Sequence, residues 1–236
     1  MSNDVGVLKS IFLDAGGVLV FPNWYRISDA LAARGVHVTA AALADAEPIA
    51  KRKLDDNRTI TATTDAGRGW LYFNLILDEL GVVRSGATDD ALAELYAYHQ
   101  QSNLWELVPD DVVPALAALR DRGLRLTVVS NANGRLGALL ERLNLAASFD
   151  CVLDSHDEGV EKPDPRIFEI ALERSGAAPE STIHVGDLYQ VDVVGARAAG
   201  LRGVLLDQKG LYDDVDCPRV RSLADLVDQV TQGVFD

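Results

Sequence analysis

Residues 9–17, K-S-I-F-L-D-A-G-G, form a short apolar run that ends at an aspartate and a pair of glycines. Four further apolar runs follow, at 124–129, 149–153, 182–185 and 201–206. Stretches with helical periodicity lie between and beside them, at 112–122, 135–143, 166–175 and 191–199. Apolar strands that alternate with helices are typical of a parallel sheet covered on both faces. The sequence therefore predicts the α/β class, with a Rossmann-like, doubly wound parallel sheet as its core.

The segment 22–107 has a different pattern. Its Ala- and Leu-rich stretches predict helices at 25–34, 39–54, 69–80 and 89–100, and no part of it is typical of a strand. A segment of this length is far too long for an ordinary crossover between two strands, for which about a dozen residues suffice. We therefore expect 22–107 to form an inserted α-helical cap domain, and 1–21 together with 108–236 to form the α/β core domain.

The charge balance restricts the class of partner. The 236 residues include 22 Lys and Arg against 36 Asp and Glu, so the formal net charge is −14. Proteins that bind nucleic acids neutralise phosphates with clustered basic side chains, and the longest basic run here is K-R-K at 51–53. We therefore expect no nucleic-acid partner.

Apolar runs and cysteines indicate the compartment. No apolar stretch reaches the roughly 18 residues of a membrane-spanning helix, so we expect no membrane partner. Asp14 interrupts the N-terminal apolar run, which is not typical of a signal peptide. Cys151 and Cys217 are too few for a disulfide framework and lack metal-ligand spacing. Reduced, structural cysteines favour a cytoplasmic protein.

Polar residues follow the predicted strands at the point where each strand ends. They are Asp14, Ser130, Lys162 and Asp187, with Asp192 close by. Each alone has a structural explanation, since an aspartate after a strand commonly caps a helix. Together they are expected at the carboxyl edge of the sheet, where α/β proteins bind ligands. Carboxylates that meet at one point repel unless a cation joins them, and oxygen ligands suit Mg²⁺.

The same residues support a specific chemistry. A carboxylate can attack phosphorus and form an aspartyl-phosphate. A lysine and a serine hydroxyl can hold the transferring oxygens and offset their charge in the transition state. Backbone N–H groups of the loop at 14–17 can approach an anion closely, because glycine has no Cβ in the way.

Four motifs carry these residues in a fixed order. They are F-L-D-A-G-G-V-L at 12–19, V-V-S-N-A-N at 128–133, E-K-P-D-P-R-I-F at 161–168 and H-V-G-D-L-Y-Q-V-D at 184–192. Their order and spacing resemble the haloacid dehalogenase-like (HAD) hydrolases, specifically the subgroup with a helical cap between the first and second motifs. The resemblance covers essentially the whole chain. It implies an α/β core with a cap that closes over the site.

The resemblance implies a Mg²⁺ site and a nucleophile. Asp14 would be both the nucleophile and a ligand of the metal. The backbone carbonyl of Gly16 would be a second ligand and Asp187 a third, while Asp192 would support the metal through water. The cofactor implied is therefore Mg²⁺, held by oxygen donors alone.

The resemblance also implies the residues around the transferring group. Ser130 and Lys162 would bind that group, Lys162 would also orient Asp14, and these three would be the catalytic residues. The phosphate-binding positions would be Gly16, Gly17, Ser130, Asn131 and Lys162. The substrate would be a small phosphorylated metabolite, hydrolysed through an aspartyl-phosphate.

The sequence departs from the family pattern at Gly16. Phosphatases of this family usually carry a second aspartate there, which protonates the leaving alcohol and then activates water. Such general acid–base catalysis contributes about 10²–10⁴-fold to the rate. A cap residue, His156 or Asp157 could replace it, or the leaving group could need little protonation.

Three alternatives to an ordinary phosphatase stay open. A 2-haloacid dehalogenase also lacks the second aspartate, but similar dehalogenases need no metal and lack the Gly-Asp that is kept here at Asp187. Phosphonate-cleaving relatives use a cap lysine as a Schiff base, and we expect Lys51 and Lys53 of the cap to be exposed surface residues instead. A HAD-like protein that binds a phosphorylated ligand or a partner without turnover is the third, although Asp14, Lys162 and both late aspartates are intact.

Restoring the aspartate tests whether Gly16 limits the rate. We expect Gly16→Asp to raise kcat/KM for alkyl phosphates more than for p-nitrophenyl phosphate, because an alkoxide needs a proton to leave and a nitrophenolate does not. The measurement is the ratio of the two values in variant and wild type. Equal effects, or none, would mean that another group already supplies the proton or that the loop cannot accept an aspartate.

Overall fold

The structure is a computed structural model that describes residues 7–236. Six strands form one parallel sheet: β1 (Ser10–Leu13), β4 (Arg125–Ser130), β5 (Cys151–Asp154), β6 (Thr182–Gly186), β7 (Arg202–Leu206) and β8 (Arg219–Val220). Their order in the sheet is β5-β4-β1-β6-β7-β8. The predicted α/β class with a doubly wound parallel sheet is confirmed.

The short apolar strand β1 lies in the middle of the sheet. All four of its residues are buried, because β4 pairs with it on one side and β6 on the other. The chain order reverses here, since β4 and β5 extend in one direction and β6, β7 and β8 in the other. Such a reversal opens a crevice at the carboxyl ends of the central strands.

Helices cover this sheet and bury its apolar side chains. They are α6 (Val112–Asp121), α7 (Leu136–Arg142), α8 (Ser155–Glu158), α9 (Pro165–Ser175), α10 (Val194–Ala198) and α11 (Leu223–Thr231). Helix α9 packs Ile167, Phe168 and Ala171 into a cluster with Phe12 of β1. The helix expected at 191–199 is divided, since Tyr189–Val193 forms a π-helical turn and α10 begins only at Val194.

The structure divides into two compact units. Residues Phe21–Leu107 form one, here called the helical unit, and the other, the α/β unit, contains Val108–Asp236 and the residues up to Val20. The helices of the helical unit are α1 (Trp24–Ala32), α2 (Ala40–Leu54), α3 (Asn57–Ala62), α4 (Asp65–Glu79) and α5 (Gly86–Ser102). Its own apolar core includes Ile27, Leu43 and Ile76. Among the described residues, no helix has the length and apolarity that crossing a membrane requires.

The expectation that 22–107 contains no strand is wrong. Strands β2 (Phe21–Pro22) and β3 (Trp105–Leu107) pair antiparallel at the two ends of the helical unit. A strand of two or three residues is too short to show periodicity, and its partner lies more than eighty positions away. The sequence alone therefore gives no local signal for this pair. The apolar pattern likewise does not predict strand β8 and helix α11 near the C-terminus.

Replacing a glycine in β7 tests how tightly the core is packed. A Cβ on Gly203 would lie 2.8 Å from the Cα and 3.0 Å from the carbonyl oxygen of Val193, both backbone atoms. We expect Gly203→Ala to lower the free energy of unfolding by about 1–3 kcal/mol, measured by urea denaturation. Gly137 of α7 is the control, because nothing lies within 4 Å of its Cβ position. There alanine should stabilise by about 0.5–1 kcal/mol, and equal effects at both positions would contradict the packing argument.

Candidate active site

Asp14 lies directly after the central strand, at the reversal of the sheet. Its backbone N–H donates to the carbonyl oxygen of Val185, 2.9 Å away, which fixes the position between β1 and β6. Its Oδ1 accepts a hydrogen bond from the N–H of Ala15 at 2.7 Å. The side chain keeps 13% of its surface exposed, so this carboxylate can meet a ligand.

Lys162 is completely buried beneath Asp14. Its Nζ lies 3.0 Å from Oδ1 of Asp14 and 2.6 Å from Oδ1 of Asp192. The side chain of Asn131 holds its backbone, since Oδ1 accepts from the N–H of Lys162 at 2.7 Å and Nδ2 donates to its carbonyl at 3.0 Å. Asn131 therefore fixes Lys162, a contact that the sequence did not indicate, and its predicted phosphate contact stays a prediction.

The charges of this buried group are mutually stabilised. Burial by itself lowers the pKa of Lys162, but the carboxylates of Asp14 and Asp192 outweigh burial and raise the pKa overall. Burial by itself raises the pKa of Asp192, and here Lys162 and a hydrogen bond from His184 together lower it below its ordinary value. Ammonium and carboxylate are therefore both ionised near neutral pH.

Three carboxylates meet in this place. Asp14, Asp187 and Asp192 each offer an oxygen, and these oxygens all lie within 4.8 Å of one another. The cluster sets three carboxylates against the one ammonium of Lys162, and the carboxylate donors are oxygens only. This set fits a divalent, oxygen-preferring cation such as Mg²⁺. The three acidic residues expected at the metal site are thus brought together, and their binding of a metal, with the Gly16 carbonyl as a further ligand, stays a prediction.

Two glycines make this close approach possible. Gly17 has φ +75°, and a Cβ on it would lie 1.8 Å from Oδ2 of Asp187. A Cβ on Gly186 would lie 2.0 Å from Cγ of Asp192. The N–H of Gly17 donates to the carbonyl of Val20 at 2.9 Å. Gly17 therefore makes room for an acid, while the predicted phosphate contact stays a prediction.

The π-helical turn at Tyr189–Val193 sets the direction of Asp192. The N–H of Asp192 donates to the carbonyl of Leu188 at 2.8 Å, and the N–H of Leu188 donates to Oδ2 of Asp192 at 3.0 Å. Turns of this type are rare and occur frequently at functional sites. The carboxylate is thereby directed at Lys162 rather than at solvent.

Ser130 and the candidate replacement acids lie on neighbouring loops. Ser130 ends β4, is buried, and its Oγ makes a long contact of 3.5 Å with the carbonyl of Asn131. His156 and Asp157 of α8 lie beside Gly134, where a Cβ would be 2.7 Å from Cδ2 of His156. The role of His156 or Asp157 as general acid stays a prediction. So does the role of Ser130 in binding the transferring group.

The expectation of an exposed lysine is wrong for Lys51. Its side chain is buried in the helical unit, and Nζ lies 3.1 Å from Oε1 of Glu47. The same oxygen accepts a hydrogen bond from the hydroxyl of Tyr72 at 2.9 Å. Lys53 is half exposed, as expected, and pairs with Glu79. The sequence does not show which of the two lysines is buried, because the burial of Lys51 depends on the packing of helix α4 against α2.

Comparison with known proteins decides the family. Residues 8–200 match the family model of the haloacid dehalogenase-like hydrolases. The chain belongs to this HAD-like hydrolase family. The resemblance drawn from the four motifs is thereby confirmed.

Curated relatives of this HAD-like hydrolase include two phosphatases. Haloacid dehalogenase-like hydrolase domain-containing protein 3 of Danio rerio is 36% identical over 153 residues, which are 62% of either chain. Glyceraldehyde 3-phosphate phosphatase of Methanopyrus kandleri is 34% identical over 146 residues, 61% of either chain. Phosphoserine phosphatase of Thermus thermophilus is 39% identical over 137 residues, 58% of this chain and 53% of its own. The chain therefore spans less than two thirds of these relatives.

Solved structures share the fold over nearly the whole chain. A putative HAD-hydrolase from Bacillus subtilis bound to magnesium has a TM-score of 0.68 at 17% identity, covering 95% of this chain and 99% of its own. A 2-haloacid dehalogenase from Pseudomonas syringae has a TM-score of 0.59 at 24% identity, covering 96% and 99%. A magnesium-bound HAD-hydrolase and a dehalogenase thus share one fold, so the fold alone does not decide the reaction.

Removing the buried ammonium tests the charge balance. We expect Lys162→Met to lower the free energy of unfolding of the metal-free protein, in EDTA at pH 7, by about 3–5 kcal/mol, because Asp192 stays buried without its cation. Without Lys162, burial raises the pKa of Asp192, so protonation on folding relieves the loss as the pH falls. The measurement is urea denaturation at pH 7 and pH 5, with a smaller loss at pH 5.

Lys53→Met is the matched control. The Lys53 side chain is 53% exposed, and exposed ion pairs such as the one it forms with Glu79 contribute about 0–1 kcal/mol to stability. If Lys162→Met lowers the free energy of unfolding by as little as this, or by the same amount at both pH values, then the variant does not leave a charged carboxylate buried without its partner.

Proposed function

We propose that this HAD-like hydrolase is a Mg²⁺-dependent phosphatase of a small phosphorylated metabolite, acting through an aspartyl-phosphate. The observation that carries the proposal is the partly exposed carboxylate of Asp14, 3.0 Å from Nζ of Lys162 and grouped with Asp187 and Asp192. The two phosphatase relatives support it. The free cysteines and the net charge of −14 support a cytoplasmic enzyme with a small-molecule substrate rather than nucleic acid.

Asp14 would begin the reaction as nucleophile. One of its oxygens attacks phosphorus, and the bond from phosphorus to the leaving oxygen breaks with its electron pair on that oxygen, which then takes a proton from water. Lys162 has three N–H donors, of which Asp14 and Asp192 take two, so one remains for a phosphoryl oxygen. Mg²⁺ held by Asp14, Asp187 and the Gly16 carbonyl would neutralise negative charge on the phosphoryl group.

Water would complete the cycle. It attacks the phosphorus of the aspartyl-phosphate, the bond to Asp14 breaks, and phosphate leaves while the carboxylate is restored. Because Gly16 offers no acid, leaving groups that need little protonation are favoured. The buried ion pair keeps Lys162 charged through both steps, so the same donor serves attack and hydrolysis.

The acidic cluster favours this reaction over dehalogenation. A halide leaves without a proton or a metal, so its displacement does not require a cation held between three carboxylates. Here Asp187 and Asp192 lie with Asp14 inside one cluster, and Gly17 and Gly186 are needed to admit them. Three carboxylates this close repel one another, and a divalent cation between them offsets that repulsion, which supports metal-dependent phosphoryl transfer.

Phosphate release from p-nitrophenyl phosphate tests the proposal. We expect turnover that Mg²⁺ supports, that EDTA abolishes, and that Asp14→Asn lowers by at least about 10³-fold, because the amide cannot attack phosphorus. Asp121→Asn, at the exposed C-terminal end of helix α6, is the matched control and should leave the rate unchanged. Rates are followed by nitrophenolate absorbance and by free phosphate.

Two other outcomes would overturn it. Chloride release from 2-chloropropionate in EDTA, without phosphatase activity, would identify a dehalogenase. No turnover on a broad panel of phosphate esters, together with Mg²⁺ binding by calorimetry, would identify a protein that binds phosphorylated ligands without hydrolysing them.

A further inference from the structure

His184 is a buried polar side chain that the reaction described above does not use. It lies on β6, two residues before Gly186, and has no exposed surface. Its Nε2 lies 3.0 Å from Oδ1 of Asp192. Its ring packs edge-on against Phe168, with centroids 4.8 Å apart. A histidine in an apolar core needs a reason, because its polar atoms must find partners there.

The hydrogen bond defines the tautomer of His184. An ionised Asp192 can only accept hydrogen bonds, so Nε2 must carry the proton that joins them. Among the described residues, no partner lies within reach of the buried Nδ1. A bare lone pair at Nδ1 is less costly than an unpaired N–H, and a neutral ring adds no second positive charge beside Lys162. The geometry therefore selects the neutral form with the proton on Nε2.

Three donors converge on the carboxylate of Asp192. Oδ1 accepts from Nζ of Lys162 at 2.6 Å and from His184 at 3.0 Å, and Oδ2 accepts from the N–H of Leu188 at 3.0 Å. The ammonium of Lys162 can rotate about its Cε–Nζ bond, so it fixes the distance to Oδ1 but not the orientation of the carboxylate. The backbone of His184 pairs with Phe12 of β1 and Gly203 of β7, and its ring packs against Phe168, so its Nε2 fixes the direction of the carboxylate.

We propose that His184 is a positioning residue, which holds Asp192 so that the ammonium of Lys162 stays against Asp14. The effect of His184 on the reaction rate rests on the proposed phosphatase function. Its effect on the position of Lys162 is also present in the metal-free protein. The path runs from Nε2 of His184 through Oδ1 of Asp192 and Nζ of Lys162 to Oδ1 of Asp14. The first two steps are buried, charge-assisted hydrogen bonds, the kind that contributes most, and the last is the ion pair of Lys162 with the partly exposed Asp14.

Two variants separate positioning from packing. His184→Gln keeps an N–H donor near the place of Nε2, and His184→Leu fills the volume without a donor. Ile183→Ala, on the same strand and equally buried, is the control for lost stability alone. We expect His184→Leu to lower kcat on p-nitrophenyl phosphate with Mg²⁺ by roughly ten- to a hundredfold with KM within about twofold. His184→Gln should recover most of this loss, and Ile183→Ala should keep kcat at a temperature where it is folded.

The metal-free protein gives a second readout by nitrogen-15 NMR. The ring of His184 should show the neutral tautomer with the proton on Nε2. The buried ammonium of Lys162 should give a signal that exchanges slowly with water, faster in His184→Leu, and little changed in His184→Gln and Ile183→Ala. A proton on Nδ1 instead, or a Lys162 signal that is the same in His184→Leu as in wild type, would overturn the proposal.

The two readouts distinguish this inference from the proposed function. If wild type hydrolyses no phosphate ester, the phosphatase proposal fails, and the Lys162 signal alone decides the role of His184. If wild type is active but His184→Leu keeps its kcat and loses only thermal stability, His184 is a packing residue and the inference fails. Equal loss of kcat in the glutamine and leucine variants would also overturn it.

Discussion

The buried ammonium of Lys162 is the interaction on which the site depends. A positive charge with no exposed surface is tolerated only because Asp14 and Asp192 lie within 3.0 Å and 2.6 Å of it. Asp14 follows β1, Lys162 lies in the loop between α8 and α9, and Asp192 lies in the turn after β6. The ion pairs therefore join segments that the sheet alone would leave independent. They also fix the position of the Asp14 carboxylate.

Such close packing of acids sets a demand on the backbone. Gly17 and Gly186 stand where any side chain would overlap Asp187 or Asp192, and Gly17 also needs a left-handed conformation. The glycines beside the motif aspartates thus create space, in addition to any role in admitting a phosphate. The geometry of the site therefore depends on the absence of side chains at Gly17 and Gly186 as well as on the acidic side chains themselves.

The sequence predicts the parts of this arrangement that depend on local pattern. Apolar runs that end in Asp14, Ser130 and Asp187 are enough to place these residues on one edge of a parallel sheet. The burial of Lys51 and the donor role of His184 could not be predicted in this way. Both depend on partners far along the chain, and a lysine or histidine alone in a helix or strand carries no signal of them.

The pairing of β2 with β3 has an evolutionary consequence. These strands bring Phe21 next to Leu107, so the chain enters and leaves the helical unit at neighbouring points. A segment whose two ends already meet can lengthen, shorten or be exchanged without altering the register of β1, β4 and β6. Natural selection can therefore vary the helical unit and the reacting groups as separate modules, which is one physical route by which a single scaffold diversifies.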